Sequence, residues 1–292
     1  MRTYHGKIVE LWNSELKSLK IINNLRLLVE GDVGKPFKVK NGSEVYRLKT
    51  PADYTLYLKR YRAQSIFNSF KSLIRFRWPF TTAFAEFRMA EMLRQSGFDA
   101  MEPVAWAEAR YCGIFPIVSA ILVKEVPGLP LDQVFVDESI RSIRPYLLFQ
   151  LGVLYASLHL AGYLRTPRLS DLICRDLEFA RGGLLKVTII DLDLKGHAAC
   201  FKVFHESFCS PAIGHALYKF LRGRYTIDNA YEIRCFLRGY RSVLNQKGYD
   251  RNILRLREIF QTTNKRLATH AADPILSSCV TGMPKELNEI LK

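Results

Sequence analysis

Four sets of side chains in this 292-residue chain have the type and spacing for phosphate and metal chemistry. VTIIDLDLKG sends Asp191 out of a β-prone run, and an aspartate leaving a buried strand end is placed to hold Mg²⁺ through hard carboxylate oxygen. TLYLKRYR sets Lys59 at the end of an alternating strand, where an ammonium can meet phosphate oxygens. AEFRMAE offers Glu86, between Phe84 and Phe87 and so on the inward face of a helix, as a partner for that lysine. Glu91, five residues on, is nearly half a turn out of phase with Glu86. About 20 residues before Asp191, the run Leu164-Arg165-Thr166-Pro167-Arg168-Leu169-Ser170-Asp171 follows a long apolar helix and supplies another carboxylate, Asp171.

These groups need elements to position them. Three antiparallel strands are expected at about 36–40, 44–49 and 54–60. Asn41-Gly42 marks a hairpin, because both central positions of a type I′ turn need positive φ, and Pro51-Ala52-Asp53 marks a second turn. A helix over Thr82 to Ser96 closes at Gly97. MEPVAWAEAR and Val118 to Val123 read as two further strands. Pro127-Gly128-Leu129-Pro130 then breaks the chain. Beyond it the pattern is mainly helical, apart from LLKVTIIDLDL, which reads as a short β-hairpin or strand pair. Residues 1–30 read as one or two helices of mixed charge. The expectation is an α+β chain of two lobes. An N-terminal helical extension covers 1–35, a small antiparallel-sheet lobe 36–126 and a larger helical lobe 127–292, with a hinge at 127–130 and a ligand cleft between the lobes.

That order of elements is the protein-kinase-like one, and it gives each candidate a job. Lys59 would hold the α- and β-phosphates of ATP and Glu86 would fix its direction. Asp191 would bind the metal. Arg165 and Thr166 fall on the arginine and the base aspartate of the His-Arg-Asp motif, and Asp171 falls on the metal-binding asparagine, where a carboxylate can still hold Mg²⁺. Thr166 cannot accept a proton as a carboxylate does. A general base contributes on the order of 10²–10⁴-fold, so its loss predicts slow turnover rather than a lost site. Asp193 is a candidate stand-in. The phosphate-covering loop is also thin: Asn41-Gly42-Ser43 has one glycine where kinases show three, leaving Gly42 and Ser43 as its binding candidates.

The runs YLKRYR, AEFRMAEMLRQSGFDAMEPVAW, LVKEVPG, LHLAGY and IIDLDLKG together resemble the bacterial lipopolysaccharide core (Kdo and heptose) kinase family, and are most like its divergent toluene-tolerance branch. The resemblance spans roughly 36–240. It implies ATP- and Mg²⁺-dependent phosphorylation of an inner-core sugar or a related glycolipid at the cytoplasmic face of the inner membrane. LVKEVPG looks like the hinge, with the backbone at Lys124–Val126 against adenine and Glu125 and Val126 as cofactor-binding residues. Asp171 and Asp191 are the implied metal ligands. The departures at Thr166 and in the glycine loop define the alternative, a weak or inactive pseudokinase serving as a nucleotide-binding or scaffold module in envelope biogenesis.

Composition sets the partners. The net charge of +15 and pI near 9.6 favour anionic ligands. Between Arg47 and Arg77, eight Lys or Arg face one acid, Asp53, with Phe67, Phe70, Phe76 and Trp78 interleaved. Such a stretch suits an anionic membrane surface or a phosphorylated glycolipid. No nucleic-acid motif accompanies it, so no nucleic-acid partner is expected. None of the six cysteines is spaced as CxxC, which argues against zinc and for scattered thiols in a reducing compartment. The first residues lack the apolar centre of a signal peptide, so a cytoplasmic protein, peripheral on the inner membrane, is expected. Tyr146 to Leu164 has no Asp, Glu, Lys or Arg, but Gln150, Ser157 and His159 dilute it, and it reads as a buried helix rather than a span.

Overall fold

The computed structural model describes residues 2–9, 25–40, 42–62, 81–163, 166–192, 209–222, 230–249, 259, 261–263 and 265. The chain divides into two units. One runs to Val126 and regains the stretch opening at Ile190; the other begins at Pro127 and holds the remainder.

The first unit is built on a six-stranded sheet of order β1-β5-β6-β4-β3-β2. Its strands are β1 (Arg2–Ile8), β2 (Lys38–Lys40), β3 (Ser43–Lys49), β4 (Thr55–Arg62), β5 (Pro103–Tyr111) and β6 (Phe115–Lys124), every neighbouring pair antiparallel. The β2–β3 turn pairs Lys40 with Ser43 and places Gly42 at φ 79°, a conformation glycine enters without steric cost. The β3–β4 turn closes through Asp53 N–H to the Thr50 carbonyl at 3.0 Å, with Asp53 at φ 63°.

The start of the chain departs from the expected helices: Arg2–Ile8 is an edge strand on β5, with Arg2 opposite Tyr111 and Ile8 opposite Ala105. Its half-buried residues Tyr4, Gly6 and Ile8 alternate with exposed His5 and Lys7, a period of two. Gly6 allows the close approach, since a Cβ there would strike the Trp106 carbonyl oxygen. Among the described residues of this region one helix forms, α1 (Leu25–Glu30), whose Leu28 and Val29 pack on the sheet against Tyr46, Leu48, Leu56, Leu58, Ala105 and Leu122. Arg60 holds that helix by its end, donating to the carbonyls of Leu28 at 2.9 Å and Gly31 at 2.6 Å.

Helix α2 (Thr82–Gln95) also packs on the sheet, burying Ala83, Glu86, Phe87, Met89, Ala90 and Leu93. Thr81 caps it by accepting from the Phe84 N–H. At the other end Gly97, at φ 83°, lets Phe98 N–H reach the Leu93 carbonyl at 3.0 Å.

In the second unit the principal pair is α4 (Arg144–Leu160) and α7 (Ala230–Gln246). The two approach through glycines: a Cβ on Gly152 would meet the Phe236 carbonyl, and one on Gly239 would meet that of Phe149. Beside this contact Arg144 pairs with Glu232 at 3.7 Å, both buried. α4 carries most of the apolar stretch 146–164, and among the described residues no helix is long and apolar enough to cross a membrane. The short strands β7 (Leu129–Pro130), β8 (Leu172–Cys174) and β9 (Val187–Ile189) form a small sheet in that order. Where LLKVTIIDLDL is expected to form a hairpin or strand pair, its described residues form one strand, β9, which pairs with β8. Among its described residues the unit also holds short helices α3 (Leu131–Val134) and α5 (Leu177–Arg181), and then α6 (Cys209–Arg222).

Candidate active site

Side chains alternate along a strand, so Leu56 and Leu58 of β4 enter the core while Tyr57, Lys59 and Tyr61 share the opposite face. Lys59 Nζ lies 2.7 Å from Glu86 Oε1 of α2, and the Tyr61 hydroxyl donates to Glu86 Oε2 at 2.6 Å. The Glu86 side chain is fully buried. A carboxylate survives there only with partners on its oxygens, and each oxygen has one. Lys59 keeps 18% of its side-chain surface, and 3.9 Å from its Nζ stands Asp191 Oδ1, on a carboxylate 39% exposed. Asp191 is held at φ 52°, a region that few residues besides glycine, asparagine and aspartate enter, and backbone strain of this kind gathers at functional sites. The result is a fixed cation beside a solvent-facing hard-oxygen ligand, the pair of groups that a nucleoside triphosphate–metal complex requires.

The helix that carries Glu86 is itself tied to the sheet. Thr81, its cap, donates to buried Glu108 of β5 at 2.8 Å, and Glu108 pairs in turn with buried Arg110. Sequence reasoning missed Tyr61, Glu108 and Arg110. The signal for Tyr61 was its place two residues after Lys59 on one strand.

At the expected hinge, Lys124 N–H donates to the Glu102 carbonyl at 3.0 Å and Glu125 N–H to the Thr55 carbonyl at 2.9 Å. The Glu125 carboxylate accepts from Tyr57 at 2.9 Å and Arg47 at 3.2 Å. Burial, and then this bond to Glu125, raise the Tyr57 phenol above its ordinary range. Glu125 is thus committed to the sheet through both backbone and side chain. Gly42 and Ser43 sit at the β2–β3 turn, where the Gly42 carbonyl accepts from Arg62 N–H at 2.8 Å. Asn41 lies outside the described residues.

The loop after α4 is described from Thr166, and Arg165 lies outside the described residues, as does Asp193. Tyr155 of α4 holds the loop by donating to the Pro167 carbonyl at 2.8 Å. Its phenol is raised well above the ordinary value, first by burial and then by the charge of Asp171. Thr166 is buried, and its hydroxyl donates to the Ala212 carbonyl in the first turn of α6 at 3.2 Å. Here it ties loop to helix, and a hydroxyl offers no proton acceptor of carboxylate strength. Asp171 is also largely buried. Its oxygens accept from Arg168 Nε at 2.9 and 3.1 Å, Arg168 Nη2 at 2.8 Å and Arg168 N–H at 3.0 Å. Among the described residues no group of three or more His, Cys, Asp or Glu is arranged to hold a metal ion. Asp171 is thus closely met by Arg168, while the Asp191 carboxylate is 39% exposed.

A six-stranded antiparallel sheet bearing the Lys59–Glu86 pair, followed by a mainly helical unit, defines a two-lobed protein-kinase-like fold. The solved structure of WaaP in complex with acyl carrier protein shares this fold, with a TM-score of 0.56 at 16% identity, over 90% of this chain and 99% of that one. Fainter likenesses are an amicoumacin kinase in complex with AMP-PNP and Ca²⁺ and a MAP kinase from Leishmania major. The first has a TM-score of 0.41 at 14% identity over 82% of this chain and 88% of its own. The second has a TM-score of 0.37 at 14% identity over 94% and 89%. A search of curated protein sequences returns no match. Residues 30–197 match the model of the lipopolysaccharide kinase (Kdo/WaaP) family, and the chain belongs to that family. Membership in a family of kinase-like phosphotransferases implies the use of ATP.

Proposed function

We propose that the protein transfers the γ-phosphoryl group of ATP, as its Mg²⁺ complex, to a hydroxyl of a lipopolysaccharide inner-core sugar or a related glycolipid. The observation that carries this reading is Lys59 held at 2.7 Å by buried Glu86 with Asp191 3.9 Å away. Lys59 would bind the α- and β-phosphates, with Glu86 and Tyr61 keeping its ammonium in one place. Asp191 would hold the metal, which neutralises charge on the transferring group. The Lys124–Val126 backbone would meet the adenine, and Gly42 and Ser43 the phosphates. Arg165 would take the motif arginine's place. With Thr166 donating to Ala212, no carboxylate stands at this position, and the acceptor's proton would pass to water or to the oxygens of the transferred phosphoryl group. Turnover is then slower by the order of 10²–10⁴-fold that a base supplies.

A second reading has its own support. Thr166 is buried in a structural bond and Asp171 is filled by Arg168, as a nucleotide-binding pseudokinase that serves as a scaffold would allow. Incubation with ATP–Mg²⁺ and lipopolysaccharide lacking core phosphate separates the two. Phosphate incorporation that disappears in Lys59→Met supports the kinase. Nucleotide binding without incorporation supports the scaffold, and neither binding nor transfer sinks both.

The membrane would be met peripherally from the cytoplasmic side. Within the basic segment, Arg47 pairs with Glu125, Lys59 with Glu86 and Arg62 with Glu44, and Arg60 serves α1. The membrane reading therefore rests chiefly on Lys71, Arg75 and Arg77, which lie outside the described residues. Each basic residue near an anionic surface is worth about 1 kcal/mol, screened by salt. Flotation with anionic liposomes should fall at high salt and in Lys71→Glu/Arg75→Glu/Arg77→Glu. Equal flotation of the triple variant would remove the membrane from the account.

A further inference from the structure

We propose that Arg168 is a built-in cation that takes Asp171 out of metal binding, so that the nucleotide complex carries one divalent ion, held by Asp191, rather than two. The inference rests on the ATP–metal reading above. A kinase-like site ordinarily divides two ions between the strand-end aspartate and the residue at the place Asp171 occupies.

Three observations separate Asp171 from that role. The first is capacity. A carboxylate has about four lone-pair directions. On Asp171, Oδ1 accepts from Arg168 Nη2 at 2.8 Å and Nε at 3.1 Å, with Ser170 Oγ at 3.4 Å. Oδ2 accepts from Arg168 Nε at 2.9 Å and Arg168 N–H at 3.0 Å. Little is left to meet an ion at about 2.1 Å. The second is charge. A guanidinium in double contact already neutralises the carboxylate, and a divalent ion would have to settle within a few ångströms of that like charge.

The third is the backbone. Leu169–Asp171 is a single 3₁₀ turn, and Asp171 closes it from both sides: its N–H donates to the Arg168 carbonyl at 2.9 Å while its carboxylate takes the Arg168 N–H. Turning the carboxylate toward a metal would break the bond by which Asp171 closes this turn. Asp191 stands differently. Its carboxylate is 39% exposed, against 9% for that of Asp171 beneath the Arg168 guanidinium.

The test counts ions. Mn²⁺ bound per chain is read by electron paramagnetic resonance with saturating AMP-PNP. The proposal expects one Mn²⁺ in the wild type, one in Asp171→Asn, none in Asp191→Asn and two in Arg168→Ala. The second ion should disappear again in Arg168→Ala/Asp171→Asn. Two Mn²⁺ in the wild type overturn the proposal while leaving the nucleotide site intact, and the wild-type count decides this even if a loop variant fails to fold. Loss of an ion in a folded Asp171→Asn overturns it as well. No Mn²⁺ in the wild type overturns the metal reading itself and this inference with it.

Discussion

Cutting the Lys59–Glu86 pair from each side should cost unequal amounts, and the inequality follows from what each partner has left. At 2.7 Å and an effective dielectric of about 20, the Coulomb attraction is about 6 kcal/mol, most of it offset by desolvation. Lys59→Met strands a fully buried carboxylate with only the Tyr61 hydroxyl, a change that costs about 3–5 kcal/mol. Glu86→Leu leaves a lysine with some solvent and with Asp191 at 3.9 Å, so the cost should be about 1–3 kcal/mol. The double variant has no stranded charge and should fall short of the sum by about 2 kcal/mol. Urea unfolding followed by tryptophan emission suits the measurement. All three tryptophans, Trp12, Trp78 and Trp106, precede Val126, and Trp106 meets Phe84 of α2 edge to face with ring centroids 4.8 Å apart. With a slope of about 2 kcal/mol per molar urea, Lys59→Met should lower the midpoint by about 1.5–2.5 M. Equal costs for the two single variants, or a coupling under about 0.5 kcal/mol, would refute the reasoning.

Gly152→Ala should destabilise the second unit by about 3 kcal/mol or more in thermal unfolding, because the new Cβ falls on the Phe236 backbone of α7; the same change at Gly248, where an added Cβ meets nothing within 4 Å but φ is 77°, should cost only about 1 kcal/mol. Burial lowers the His159 pKa from 6.5 to about 4, with Nδ1 on the Tyr240 hydroxyl at 2.7 Å. A depressed folded-state value means that the unfolded chain binds the proton first. Stability should therefore be full above pH 6.5 and decline toward pH 4 by about 3 kcal/mol, a slope that His159→Leu should flatten.

Local pattern carried the sheet and the lysine. Alternation in TLYLKRYR, the glycine at 42 and the inward-facing Glu86 lie within single elements, and β2 to β6 and α2 form near the places that pattern indicates. What escaped was set by distance along the chain. β1 looks helical by its mixed charge, and only its partner β5, about a hundred residues away, makes it a strand. The bond from Thr166 to Ala212 was hidden because α6 brings up that carbonyl 46 residues later. The contact of Asp171 with Arg168 also escaped, because spacing names a residue but not its partners. Arg168, three residues before it, is in plain view, yet a pair at that spacing announces itself only once a turn brings the two together. The left-handed backbone of Asp191 likewise has no signature in composition.

The most direct test is a calorimetric titration of AMP-PNP with and without Mg²⁺ into wild type, Asp191→Asn and Asp193→Asn. The account predicts binding that Mg²⁺ strengthens in the wild type, a loss of about tenfold or more of that metal-dependent part in Asp191→Asn, and a smaller loss in Asp193→Asn. No binding at millimolar nucleotide, or a larger loss at Asp193 than at Asp191, would contradict it.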